Sequence, residues 1–154
     1  MADLHTDSLL WGRDLLTRAA QGQVDVPRLI EGNVALQVLA APTKSPRHLN
    51  IERNDDRSDD VILVAIGLGW PPATWRSLLA RALHLADRAD AMAARSAGRF
   101  TIIRSQADLA AYEARRTAGP GMTAGLEIHT HVKDVAGLFI NHRFRLPHPE
   151  TSGC

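Results

Sequence analysis

The chain has 154 residues, 45% hydrophobic and 23% charged, which is the balance of one ordinary globular domain and excludes a disordered tail. A formal net charge of +1, with Lys and Arg interspersed among acids, gives no basic stripe and so no support for nucleic-acid binding. The single Cys154 is the last residue and excludes an internal disulfide.

Met1-Ala2-Asp3 leads straight into the first predicted strand with no basic-then-apolar leader, so the expected compartment is the cytoplasm. That strand carries His5-Thr6-Asp7. Side chains at i and i+2 of an extended segment point to one face, so His5 and Asp7 can offer a nitrogen and an oxygen to one divalent cation. Thr6, Asp7 and Ser8 would equally serve as caps for a helical segment over residues 9–20, and spacing alone leaves both readings open.

Residues 34–41 are almost continuously apolar and rich in Val and Leu, as expected for a strand covered on both faces, and Pro42 ends it. Residues 43–60 turn polar, with Pro46, Asn50, Asn54 and five acids, and are predicted to form a long surface loop. The longest apolar run, residues 61–70, is too short to span a bilayer and contains Gly67 and Gly69, so no membrane partner is expected. Gly67-Leu68-Gly69 lacks the Lys-Ser/Thr of a phosphate loop and reads as a turn.

A helix is predicted over residues 73–96. Trp75, Leu79, Ala82, Ala86, Ala89 and Ala93 form its apolar stripe, with Arg76, Arg81, Arg88 and Arg95 expected mostly in solvent. Gly98 stops it, residues 100–103 read as a strand, Ser105-Gln106-Ala107-Asp108 resembles a capping box with Asp for Glu, and a short helix follows over residues 109–116. A strand over residues 122–132 places Thr123, Gly125, Glu127, His129 and His131 on one face. That polar face suits an edge strand meeting water; it also suits a carboxylate and imidazoles at the mouth of a barrel.

The alternation of short apolar strands with amphipathic helices is that of a parallel α/β fold. Asp3-Leu4-His5-Thr6-Asp7, Val24-Asp25-Val26-Pro27-Arg28-Leu29 and Glu31-Gly32-Asn33-Val34-Ala35-Leu36-Gln37 together resemble the membrane (renal) dipeptidase family. The likeness continues through Trp70-Pro71-Pro72-Ala73-Thr74-Trp75 and Arg99-Phe100-Thr101-Ile102-Ile103-Arg104-Ser105 to Ala124-Gly125-Leu126-Glu127, and fades beyond it. It implies a TIM-barrel-type (β/α)-barrel of which residues 1–132 supply only the amino-terminal strands and helices, followed by a divergent, irregular tail over residues 133–154.

The resemblance further implies a zinc-dependent dipeptidase that hydrolyses dipeptides with metal-activated water. His5 and Asp7 match the first-strand zinc ligands, and Glu127 matches the carboxylate that bridges two zincs at the catalytic centre. After that glutamate the family has small residues and then a substrate-binding histidine, whereas this chain reads Ile128-His129-Thr130-His131, so His129 or His131 is the candidate for that role. The later strands that bring the second zinc's histidines have no match here, and His142 and His148 do not supply them.

One zinc or none is therefore expected, where the family holds two. A barrel of this type takes about 250 residues, so an interruption soon after Glu127 is the simplest reading of the basic, Pro-containing tail. A half-barrel leaves a sheet edge through which two copies could pair. The alternative to a dipeptidase is a non-catalytic half-barrel remnant that binds metal or a protein partner.

Overall fold

In the computed structural model, the described residues are 1–48, 52, 57–118 and 128–130, with Ala118 and residues 128–130 described by their backbone. Glu127 and His131, and with them most of the strand expected over residues 122–132, lie outside the described residues, as does the tail over 133–154.

Three parallel strands form the sheet in the order β1 (Ala2–Thr6), β2 (Leu36–Ala41), β3 (Ile128–Thr130). Ala2 pairs with Leu36 and Asp3 with Gln37, but Thr6 pairs with Leu39, so β1 takes three residue steps where β2 takes two. The register shift is the signature of a bulge, and it falls on Leu4 and His5, both exposed. On the other side of β2, Leu39, Ala40 and Ala41 pair with Ile128, His129 and Thr130.

β2 is buried along nearly its whole length, as its unbroken apolar composition requires of a strand covered on both faces. Alternation separates Leu39 and Ala41 from Val38 and Ala40. Leu39 and Ala41 belong to the main core, together with Leu9, Val26, Trp70, Leu85, Ala89, Met92 and Phe100. That core lies between the sheet and a layer of helices.

The first of these, α1 (Val26–Glu31), starts where Asp25 accepts from the Arg28 backbone N–H at 3.0 Å, with Pro27 in its first turn, where no intrahelical partner for its missing N–H is needed. α2 (Val61–Gly67) is the apolar run, ended by a turn in which Gly69 takes a positive φ of 67°. α3 (Leu78–Arg95) is the long Ala/Leu/Arg helix, capped by the Ser77 hydroxyl, which accepts from the Ala80 N–H at 3.1 Å. Residues 72–75 form a separate 3-10 turn, and the helix begins only after Ser77.

α4 (Gln106–Ala118) carries the expected reciprocal cap: Ser105 Oγ accepts from the Asp108 N–H at 3.1 Å, and the Asp108 carboxylate accepts from the Arg104 N–H at 3.0 Å. Tyr112 is 3% exposed and donates its hydroxyl to the Ala35 carbonyl just ahead of β2, which docks α4 on the start of that strand.

Two sequence expectations are corrected here. Residues 9–20 are not a helix beyond a 3-10 turn at Ser8–Leu10, since Asp14 and Asp25 draw the following backbone into loops. Residues 100–103 are buried at Phe100, Ile102 and Ile103 but form no strand; Ser96 Oγ binds Phe100 at both its N–H and its carbonyl, taking the groups that a ladder would use.

Candidate metal-binding pair at the strand ends

Parallel strands bring their carboxyl ends to one edge of the sheet. At that edge β1 ends at Thr6, and the chain enters the 3-10 turn at Ser8–Leu10. Asp7 stands at the cap position of this turn but makes no side-chain cap bond. Its backbone carbonyl accepts from the Leu10 N–H at 2.9 Å. The carboxylate instead lies beside the preceding imidazole: His5 Nε2 and Asp7 Oδ1 are 3.5 Å apart, with the two side chains 48% and 50% exposed.

The pair lies where the register shift ends and the turn begins: β1 ends at Thr6, and Asp7 stands at the cap position of the 3-10 turn. Two donors each about 2.0–2.2 Å from a tetrahedral zinc stand about 3.3–3.5 Å from one another. The His5–Asp7 separation matches that bite, and a nitrogen with a carboxylate oxygen is a donor set that zinc accepts. Among the described residues no group of three or more His, Cys, Asp or Glu side chains could hold a metal ion.

Of the other predicted site residues, Glu127 immediately precedes β3 in sequence but is outside the described residues, as is His131. His129 is in β3 as the register partner of Ala40. Ile128 is level with Leu39, which is level with Thr6, so the start of β3 and the end of β1 share a level on the two sides of β2.

Arg81, which is buried, and Arg88, which is half-buried, correct the expectation that they face solvent, whereas Arg76 and Arg95 are exposed as expected. Arg81 is 1% exposed and donates to the carbonyls of Thr43 at 2.6 Å, Thr74 at 2.6 Å and Trp75 at 2.9 Å, as well as to the Asp59 carboxylate. Arg88 donates to the carbonyls of Leu9 at 2.6 Å and Trp11 at 2.7 Å, and burial pushes its guanidinium below the usual arginine value. Arg95 reaches Asp14 at 3.2 Å. These contacts were invisible to an amphipathicity argument, although the seven-residue spacing of the three was a signal.

Beside them, His84 stacks at a tilt on Trp70 with ring centroids 4.9 Å apart. Burial, and then the neighbouring charge of Arg88, lower its pKa against the opposing pull of Asp87.

No family model matches the chain, and no curated protein matches it in sequence. Among solved structures it is similar to a crystal structure described as the dipeptidase AC, a metallopeptidase of family M19, at 22% identity and a TM-score of 0.55. The match covers 92% of this chain and 40% of that one, so the chain spans well under half the length of the dipeptidase whose fold it shares. Among the described residues no helix is long and apolar enough to cross a membrane.

Proposed function

We propose that the chain is the amino-terminal part of a (β/α)-barrel of the metallodipeptidase kind, in which His5 and Asp7 hold one zinc ion and Glu127 adds a carboxylate. The observation that carries this reading is the 3.5 Å separation of His5 Nε2 and Asp7 Oδ1 at the carboxyl end of β1, which suits two ligands of one tetrahedral ion. Fold similarity to an M19 metallopeptidase supports it, as does a parallel sheet whose third strand begins one residue after Glu127.

A bound zinc would supply Lewis acidity for hydrolysis of a dipeptide by water. The chain's own part would be to present the imidazole nitrogen and the carboxylate oxygen half-exposed at the rim, where a small substrate can reach them. His129 and His131 are the candidates to bind that substrate. A second copy pairing along an open strand edge is the proposed homo-oligomer.

A second reading is a non-catalytic half-barrel that binds metal or a protein partner. Titration of the purified protein with zinc, with and without a dipeptide hydrolysis assay, separates the two. One tightly bound zinc with turnover, both lost in His5→Ala and Glu127→Ala, supports the dipeptidase. Zinc binding without turnover supports the half-barrel, and no stoichiometric zinc overturns both metal readings.

A further inference from the structure

Arg81, Arg88 and Arg95 are spaced by seven residues along α3, so they lie within about 20° of one line on the helix surface per two turns. Each reaches a segment just past a strand or turn at the rim: Arg81 the Thr43 carbonyl beyond β2, Arg88 the Leu9 and Trp11 carbonyls beyond β1, and Arg95 the Asp14 carboxylate. The middle rung is the one that touches the turn carrying the candidate ligands.

We propose that Arg88 is a positioning residue for the His5–Asp7 pair: by holding the carbonyls of Leu9 and Trp11 it sets the turn that keeps the Asp7 carboxylate within zinc-ligand bite of His5. The inference rests on the metal-binding reading above and adds to it a residue outside the ligand set. Three contacts define the turn. The Leu9 side chain is 0% exposed in the core, the Leu10 N–H is held by the Asp7 carbonyl, and the Thr6 and Ser8 hydroxyls are 2.7 Å apart.

None of the three restrains the outward swing of the chain after Leu10. Arg88 does, because one planar fork grips two carbonyls, those of Leu9 and Trp11, that flank Leu10. Without it both carbonyls lose their donor and the turn can open. The two side chains, both half-exposed, would then separate. Packing of α3 on the core through Leu85, Ala89 and Met92 does not depend on Arg88, so the fold should survive its replacement.

The test compares Arg88→Met, which keeps an apolar stem, with Arg88→Lys and with Arg104→Met, whose partner Asp90 also sits on α3 but away from the turn. Zinc affinity should fall about tenfold or more in Arg88→Met, in the range seen when a contact that orients a metal ligand is removed. It should recover in part in Arg88→Lys, whose ammonium can serve one carbonyl well but lacks the fork, and stay unchanged in Arg104→Met.

Amide exchange of the metal-free protein supplies a readout that needs no zinc. The Leu10 amide should exchange about tenfold faster in Arg88→Met while the Ala89 amide does not, whereas general loosening would accelerate both. Unchanged zinc affinity in Arg88→Met, or acceleration shared equally by Leu10 and Ala89, overturns the positioning role. If His5→Ala and Asp7→Ala leave zinc binding intact, the metal reading itself fails, whatever Arg88 does.

Discussion

The guanidinium of Arg81 and the carboxylate of Asp59 form an ion pair in which the arginine is 1% exposed and the aspartate 23%, tying the residues just ahead of α2 to α3. The same guanidinium satisfies the Thr43, Thr74 and Trp75 carbonyls, so one side chain closes the exit from β2, the end of the loop and the turn before α3.

Removing Arg81 would leave a carboxylate and three carbonyls short of a donor. Arg81→Ala should therefore destabilise the protein by about 3–5 kcal/mol, the cost of breaking a buried pair from one side. Arg81→Lys should recover only a minor part, because an ammonium cannot span four acceptors in one plane. Urea denaturation of the three proteins checks both statements, and a loss under about 1 kcal/mol in the alanine variant would contradict them.

Asp25 combines a helix cap with an ion pair: burial raises the pKa of its carboxyl, but the backbone N–H groups of Arg28 and Ala19 and the Arg28 guanidinium outweigh burial and hold it below the ordinary value. A carboxyl depressed on folding adds stability above its unfolded pKa of about 3.9, and that stability is lost as the pH falls toward the folded value. Asp25→Asn should thus be less stable than the parent at neutral pH, with the gap narrowing below about pH 4. Melting curves between pH 2.5 and 7 on both proteins, at intervals of roughly half a unit, measure it.

His84 works in the same direction over a higher range. Burial, first, and the charge of Arg88 disfavour its protonation in the folded state, so unfolded chains bind the proton more readily. Stability should be complete above the unfolded value of about 6.5 and decline as the pH falls below it. His84→Gln should flatten that slope between about pH 7 and 5.5. An unchanged slope would show that another group sets it.

Ser77 caps the helix that carries the three rim arginines, through the Ala80 N–H at 3.1 Å. Ser77→Ala should cost about 1 kcal/mol, the usual worth of an N-cap. Ser77→Asp should retain most of that stability, because its carboxylate can accept the same bond and also favours a helix amino terminus. Chemical denaturation distinguishes the two variants.

Much of the architecture was legible in the residue pattern. The apolar run ending at Pro42 is β2, the Ala/Leu/Arg stretch is α3, and Ser105 with Asp108 announces α4, because periodicity, proline and short-range capping act over a few residues. Residues 100–103 and 9–20 misled for the opposite reason: Ser96, Asp14 and Asp25 take backbone groups that local propensity would have given to a ladder or a helix. Seven-residue spacing put Arg81, Arg88 and Arg95 on one line, but which side of α3 faces the rim depends on the core it packs against.

For the candidate pair, sequence order alone placed an imidazole and a carboxylate two residues apart at the end of a first strand. Whether they meet was a tertiary matter. The bulge paired Thr6 with Leu39, the 3-10 turn carried Asp7 out of the strand, and Arg88 from 79 residues beyond Leu9 holds the chain that follows. Local order puts an imidazole and a carboxylate side by side; the Thr6–Leu39 pairing and the Arg88 bonds beside them are long-range contacts that no short window of sequence contains.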